Sequence, residues 1–547
     1  MEKNRQASID LSHHLSGVAK ARTSSPLKDL QKYFGKEGII RLAGGLPSPE
    51  YFPFASITAD ALVPDAYSWT PDNRSPLAWI WNLFSATREK TTQVSIPKYP
   101  NKPEDLNLAT ALQYSLASGI PQLQEIVKTF TTQVYKPAYT DFKTFVHTGN
   151  TDGWFKTVGT LCNPGECVLA SEWTYPSALA EMRPYGVRPV PVPMDGQGMR
   201  ADALHKLLSE WDADARKMPS QATRHVHDPS WSDWCDNARC EEEIYDICVI
   251  FGGCATHLAR AFSQRFEDVI FVEDDPYYFL QLGPYMARAE RSPASVNGND
   301  NEEYYLSQLV PSYLRFDYEG RVIRLDTFSK TIAPGCRLGW FTCNPVFAEK
   351  LERQAETSTQ APCGFGQALI TTVLLNWQSA GYIRWLKGLK VQYKHRRDFF
   401  IDCLAEQFHL ETEPAIHGMY EGCDVYHASQ RSRVDKSGYL AEKSHPVVLF
   451  SFVPPASGMF VWLKINFDNH PALSTLGLEE LENKLWVALA EAGVLFGPGN
   501  MFSATPVSEK EEGFGHFRVS FSNAKLEDLK RAVSIIAQVL KAFHQLD

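Results

Sequence analysis

From about Leu106 onward, apolar residues fall into short continuous runs, each bounded by turn residues and separated by stretches of helical period. TDFKTFVHTGNTDGWFKTVGTLC reads as strand, glycine-bounded turn and helix, and ECVLASEWTYPSALAEMRPYG as strand, loop and helix. GVRPVPVPMD is another strand, and DVIFVEDDPYYFL and RVIRLDTFSK are strands that end in polar residues. Repeated strand–loop–helix units predict an α/β fold with a mostly parallel sheet sandwiched by helices. In such sheets ligands gather at the carboxyl ends of the strands. Asn150, Tyr175, Asp274 and Lys330 each follow an apolar strand and so lie on that edge.

The flanks read differently. The first hundred residues are rich in proline and loop signals (GGLPSPEYFPF, WTPDNRSP, IPKYPNKPED) and predict an irregular arm with small elements. A long amphipathic stretch, roughly Phe365 to Glu406, leads into a second, smaller α+β domain containing GMFVWLKI, a helix near LEELENKLWVALAEAG, then VLFGPGNMF and HFRVSFS. The expected division is an arm with small-domain elements over 1–105, a large α/β domain over 106–375 and the small domain over 376–547. Polar segments around Met218–Arg239, Ala287–Glu303 and Tyr420–Ser444 read as loops. No internal repeat is present.

Composition narrows the function classes. Of 547 residues, 44% are hydrophobic and 22% charged, ordinary for a globular protein. A formal net charge of -10 argues against nucleic acid or an anionic membrane as the main partner. The 11 cysteines show no C-x-x-C and no accompanying His pair, so no metal site is expected, and free thiols in a reducing compartment fit best. The N-terminal segment is polar, and no apolar run reaches membrane-spanning length. A cytoplasmic enzyme is the expectation.

The chemistry concentrates in Thr327–Trp340, TFSKTIAPGCRLGW. Lys330 follows Ser329, and Arg337 stands seven residues beyond the lysine across a Pro-Gly turn. A lysine that joins an aldehyde cofactor needs this setting: one amine, fixed hydroxyls and a guanidinium fork able to hold a phosphate dianion. A Ser-Lys pair alone is usually a solvated surface feature; the other motifs of the chain reverse that balance.

Those motifs are LAGGLP, LQYSLASGIPQL, HTGNTDG, NPGE, EWTYPSAL, VEDDPYYFL, TFSKTIAPGCRLGW and HFRVSFS, spread in this order from about Arg22 to Phe521. Together the chain resembles the fold-type I, pyridoxal 5'-phosphate-dependent aminotransferases, in particular the fungal aromatic and aminoadipate/kynurenine group. The resemblance implies that Lys330 is the Schiff-base lysine and the carrier of the substrate α-proton. A free lysine, with a pKa near ~10.4, is too basic for either task, and conjugation is expected to lower that basicity. Asp274 matches the carboxylate that keeps the pyridine nitrogen protonated, which draws electrons from the substrate α-carbon. Its neighbours Glu273 and Asp275 make that assignment a matter of register. Tyr277 matches the phenol on the ring oxygen, and Tyr175 the aromatic on the ring face.

For the phosphate, Asn150 and Thr151 match the cup at a helix N-terminus, where backbone N–H groups favour an anion. Thr327, Ser329 and Arg337 match its other side. Tyr114 matches a tyrosine that reaches a neighbouring subunit's phosphate, implying a homodimer. Arg518 matches the fork for the substrate α-carboxylate, a task that suits Arg better than Lys. Gly44 and Gly45 with Leu46 resemble the segment that closes over the substrate, and Arg22 is placed near an acidic substrate side chain. The implied reaction passes an amino group from an aromatic or aminoadipate-type amino acid to a 2-oxo acid with ping-pong kinetics.

One stretch departs from the family. Between the Trp211 helix and EDDPYY, relatives carry a strand ending in Pro-x-Gly-x-Asn-Pro-Thr-Gly, whose Asn bonds the cofactor ring oxygen. Here the slot holds KMPSQATRHVHDPSWSDWCDNARCEEEIYDIC, followed by an extra VIFGGCATHLARAFSQ. Some codons for HVHDPSWSDWCDNA, read one base later, spell MYTIPVGQTGATT, so a frame or splicing change competes with genuine divergence. Taken literally, polar sequence occupies the place of a central strand, and one contact worth roughly 1.5–3 kcal/mol is lost. Two rivals follow: a pseudoenzyme on the same fold, and a non-transaminating enzyme (a lyase or decarboxylase) on the same scaffold, with a role in secondary metabolism left open.

Overall fold

The computed structural model describes residues 5–25, 45–67, 89–102, 105–209, 247–251, 269–291, 301–430, 447–468, 470–504 and 513–544. Strands β1 (Ser56–Leu62) and β2 (Thr91–Pro97) form an antiparallel pair. A seven-stranded sheet then collects β3 (Lys143–His147), β4 (Cys167–Ser171) and β5 (Arg188–Val192), and, past the short ladder of β6 (Met194–Asp195) and β7 (Gly198–Met199), β8 (Ile247–Phe251), β9 (Ile270–Asp274), β10 (Val322–Thr327) and β11 (Gly339–Cys343). Its order is β3-β11-β10-β9-β8-β4-β5. The β10–β9, β9–β8, β8–β4 and β4–β5 pairs are parallel, whereas β11 runs antiparallel to both neighbours.

Burial on both faces explains why β4 and the first residues of β9 read as continuous apolar runs rather than alternating ones. One face packs Phe271 and Val322 against helix α1 (Pro121–Val134). The other packs Ile270, Val272, Ile323 and Leu325 against helices α2 (Asn150–Leu161), α3 (Pro176–Met182) and α4 (Pro345–Glu356). Leu11, Leu15 and Ala19 of the N-terminal segment join this second cluster.

The amphipathic stretch near Phe365 is helix α5 (Gly364–Gln407), two helical lengths joined at Gln378, whose φ of 56° and ψ of 178° break the spiral. It leads to a six-stranded antiparallel sheet of β12 (Phe408–Pro414), β13 (Asp424–Gln430), β14 (Val448–Phe452), β15 (Phe460–Asn466), β16 (Gly497–Pro498) and β17 (Phe514–Ser520), in the order β12-β13-β14-β15-β17-β16. Helices α6 (Leu478–Glu491) and α7 (Leu526–Phe543) cover it, with Leu485, Leu489, Val533 and Ile536 in a shared core. No helix among the described residues is long and apolar enough to cross a membrane, and the cysteines among them whose side chains are described are free.

Two expectations are corrected. The central slot between β4 and β9 holds ICVIF as β8, not polar sequence. An interior parallel strand must be apolar on both faces, and this run, which joins the end of EEEIYDIC to the start of the extra segment, meets that demand; residues 210–246 and 252–268 lie outside the described residues. Within Tyr420–Ser444, read as a loop, Asp424–Gln430 is instead β13, paired on both sides. Its polar residues are satisfied across the sheet, as between His427 and Ser451 Oγ at 2.9 Å, and such pairing overrides local propensity.

Candidate active site

The turn after β3 is built around two residues in the left-handed region. Gly149, the N-cap of α2, has φ 100°, and a Cβ there would lie 2.5 Å from Arg337 Nη2, so a side chain is excluded by both conformation and space. Arg337 itself has φ 47°, which aims its guanidinium back at the turn. Below the turn, the Gly149 N–H donates to His147 Nδ1 at 3.1 Å and the Thr148 N–H to Asp152 Oδ2 at 3.2 Å. Asp152 also pairs with the buried Lys156. Burial pushes His147 down to about 3, with Asp152 opposing, so its imidazole is neutral. The Gly149 and Thr148 amides are thus engaged by side chains, and those of Asn150 and Thr151, in the first turn of α2, have no partner inside the helix.

Asn150 also reaches the end of β9. Its Nδ2 donates to Asp274 Oδ1 at 2.6 Å and to the Leu325 carbonyl at 3.2 Å, while its buried Oδ1 has no partner. Asp274 is buried, and loss of water pushes it up to about 7; the Asn150 amide and Arg324 oppose the rise, and Asp275 and Asp326 add to it. Burial likewise raises Asp275 to about 6, although it accepts the Tyr277 N–H at 3.2 Å.

The opposite face of the same strand ends carries residues that motif reading passed over. Arg324 Nη1 stands 2.6 Å from Glu273 Oε1, and its Nε 3.0 Å from Asp326 Oδ2. The Tyr135 hydroxyl donates to Asp326 Oδ1 at 2.6 Å, and the Ser312 hydroxyl to Glu273 Oε2 at 2.6 Å. The guanidinium carbon lies 3.9 Å from the centre of the Tyr135 ring. The available signal was Arg and Asp set inside the otherwise apolar strand VIRLDT.

On the site side, Thr327 Oγ1 lies 2.9 Å from Ser329 Oγ and accepts the Ser329 N–H at 3.1 Å, which fixes both hydroxyls before the lysine. Lys330 Nζ is 5.9 Å from the centre of the Tyr277 ring. Burial raises the Tyr277 phenol to about 12, with Arg518 opposing, so it is a protonated donor at neutral pH. Arg518 enters from β17. Burial lowers its pKa while Tyr277 and Tyr175 oppose the fall, which puts both phenols within its electrostatic reach.

Lys330, Asp274, Asn150, Tyr277, Thr327, Ser329, Arg337, Tyr175 and Arg518 thus converge where the carboxyl ends of β3, β4, β9 and β10 face β17. Thr151 follows Asn150 on α2 and is exposed. Tyr114 lies apart and is 62% exposed. Gly45 is open, with φ 57°, and Gly44 lies outside the described residues. Arg22 is not brought to this group by any described contact: its Nη1 donates to Thr357 Oγ1 at 3.1 Å. The cluster unites an amine, a buried acid that forms no ion pair among the described residues, an anion cradle and a second guanidinium.

No family model matches the sequence. It is 32% identical over 540 residues to an aromatic amino acid aminotransferase of Schizosaccharomyces pombe, covering 97% of this chain and 98% of that protein. It is 29% identical over 517 residues to an L-tyrosine:2-oxoglutarate aminotransferase of Serpula lacrymans, covering 91% and 84%. The crystal structure of the aminotransferase Aro8 from Candida albicans superposes with a TM-score of 0.75 at 28% identity, over 99% of this chain and 100% of that one.

Proposed function

The chain belongs to the aromatic amino acid aminotransferases, of PLP-dependent fold type I, and from that premise we propose how its own residues carry out the exchange of an amino group between an aromatic amino acid and a 2-oxo acid. The cofactor is pyridoxal 5'-phosphate, which when bound supplies a reactive aldehyde and a ring that takes up the electron pair released at the substrate α-carbon.

The residues present fit that group. A buried carboxylate whose side-chain partner among the described residues is an amide suits a protonated ring nitrogen, and Asp274 is one. A turn whose glycine touches a guanidinium suits a phosphate, as Gly149 and Arg337 do. In this reading Lys330 would supply the amine that holds the aldehyde, and, once the substrate amine has displaced it, its freed Nζ would accept the proton from the substrate α-carbon. Asp274 holds the ring proton in place, and Tyr277 donates its hydroxyl to the ring oxygen. Tyr175 covers the ring face. Asn150, Thr151, Thr327, Ser329 and Arg337 hold the phosphate, and Arg518 forks onto the substrate carboxylate. Gly45 belongs to the segment that closes over the substrate, and Arg22 is assigned to the far end of an acidic one.

Tyr114 is assigned to a second copy of the chain in a homodimer. Its exposure, together with that of Tyr51, Tyr99 and Leu116, supports that assignment. The chain is read as cytoplasmic, with an arm and small elements over 1–105, a cofactor-binding unit over 106–375 and a small domain over 376–547.

The observation that carries the reading is Asp274: buried, raised to about 7, and joined through Asn150 to the helix beside Arg337. The test is spectroscopic. An aromatic amino acid alone shifts the absorbance of the bound cofactor, 2-oxoglutarate restores it, and borohydride fixes the label on the peptide containing Lys330. Absence of the shift, or a label on another lysine, overturns the reading.

A further inference from the structure

Arg518 stands directly across from Trp462 in the β15–β17 ladder, and Phe460 pairs with Ser520, so alternation puts Phe460 and Arg518 on one face of the sheet. The guanidinium carbon lies 4.0 Å from the centre of the Phe460 ring and 4.3 Å from that of Phe502. Among the described residues, no carboxylate forms an ion pair with Arg518. A guanidinium held by ring faces keeps its N–H edges free, because the rings attract its charge without consuming its donors. A carboxylate partner would occupy the very edges that a ligand carboxylate needs.

Both rings are built into position. Phe460 packs edge-on to Tyr277, with centroids 5.9 Å apart, and Phe502 edge-on to Trp462 at 5.7 Å. The Phe502 carbonyl accepts the Thr174 N–H at 2.7 Å, which ties the ring to the loop carrying Tyr175. The glycines of GPGNMF clear its place. A Cβ on Gly497 would stand 3.3 Å from the Phe502 ring, and one on Gly499 would collide with the His516 backbone at 2.6 Å.

We infer that Phe460 and Phe502 are positioning residues that fix the plane of the Arg518 guanidinium, and so orient the α-carboxylate of whichever substrate is bound. This rests on the assignment of Arg518 given above. It has a consequence that simple lining of the pocket lacks. The α-carboxylate is common to the amino donor and the 2-oxo acid acceptor, so loosening the fork weakens both, whereas loss of a surface that recognises an aromatic side chain weakens the aromatic donor alone.

The experiment uses the holoenzyme and the variants Phe460→Met, Phe502→Met and Phe502→Tyr. Methionine approximates the ring's volume without its face, and tyrosine keeps the face. In each Met variant KM is expected to rise about tenfold for both the aromatic amino acid and 2-oxoglutarate, with kcat and the bound-cofactor spectrum close to wild type. The dissociation constants of propionate and 3-phenylpropionate, neither of which turns over, rise by the same factor as each other. Phe502→Tyr restores both KM values. A rise confined to the aromatic donor and to 3-phenylpropionate overturns the inference, as do unchanged constants in the Met variants or a Phe502→Tyr variant as impaired as Phe502→Met. If wild type itself shows no spectral response to amino donor, the assignment of function has failed instead.

Discussion

Glu273 and Asp274 are consecutive, both buried, and on opposite faces of one sheet, yet their surroundings differ in kind. Glu273 meets the guanidinium of Arg324 and the hydroxyl of Ser312. Asp274 meets the amide of Asn150, and its nearest charged influences are mostly acidic. Removing a carboxylate from water is costly unless a cation and hydrogen bonds replace the solvent. On the Glu273 side the chain supplies that cation. On the Asp274 side no cation among the described residues is in contact, and the cost appears as a pKa of about 7. An acid closed by its own arginine is architecture, whereas an acid left without one is prepared for a positive group brought by a ligand.

The largest effect that separates the two faces is on turnover. Asp274→Asn is expected to lower kcat of the holoenzyme by about a thousandfold, since a preorganised charge at the reacting centre is lost. It should leave the apoprotein at least as stable as wild type, because an uncompensated buried carboxylate is removed. Glu273→Gln should do the reverse, lowering stability and sparing turnover. Steady-state kinetics and urea midpoints on both variants decide the matter; equal kinetic losses would erase the distinction between the faces.

Next in size is Arg324→Met. It strands Glu273 and Asp326 in the core, and breaking one partner of a buried ionic cluster costs about 3–5 kcal/mol. Denaturant unfolding measures the loss. A variant as stable as wild type would mean that the guanidinium is not the partner it appears to be by distance.

The comparison also has a pH signature in the apoprotein. The folded-state pKa of Asp274, about 7, lies above the ordinary value of 3.8. Between those values the folded chain holds a proton that the unfolded chain has released, so stability falls as pH rises through the window and levels off above about 7. Asp275, at about 6, contributes to the same fall at lower pH and is retained in Asp274→Asn. The informative quantity is therefore the difference between wild type and Asp274→Asn, which should widen steadily as pH rises above the ordinary value of 3.8 and level off above about 7. A difference that stays flat with pH, read from thermal midpoints, would place the titration elsewhere.

Much of this was legible in the chain. Strand runs ending in polar residues marked Asn150, Tyr175, Asp274 and Lys330, because a parallel sheet advertises its carboxyl edge by where apolar residues stop. Arg324 was not legible. In VIRLDT the Arg and Asp looked like part of the polar end of the strand, whereas all six positions are buried. What makes that possible is Glu273 on the next strand, with Ser312 and Tyr135 from distant loops and helices, and such compensation leaves no local trace. The strand β8 was hidden for a related reason: ICVIF follows a segment unlike the family, and only the vacancy between β4 and β9 identifies its role. Likewise, GMFVWLKI and GPGNMF showed a strand and a turn, but not that their phenylalanines meet over Arg518.

The smallest effect tests how well the two faces are insulated. Tyr135→Phe keeps the ring that lies 3.9 Å from the Arg324 guanidinium and removes only the hydroxyl bonded to Asp326 Oδ1. That oxygen retains Arg324 Nη2 at 3.0 Å, and no orphaned donor is created. The cost should therefore sit near the lower end for a hydrogen bond to a charged group, about 1.5 kcal/mol, visible as a shift in the urea midpoint. Turnover should remain at the wild-type value, because the lost bond faces away from Asp274 and Lys330. A Tyr135→Phe enzyme with a kinetic defect approaching that of Asp274→Asn would show that the ionic cluster sets the charge on the catalytic face, and the separation drawn between Glu273 and Asp274 would have to be abandoned.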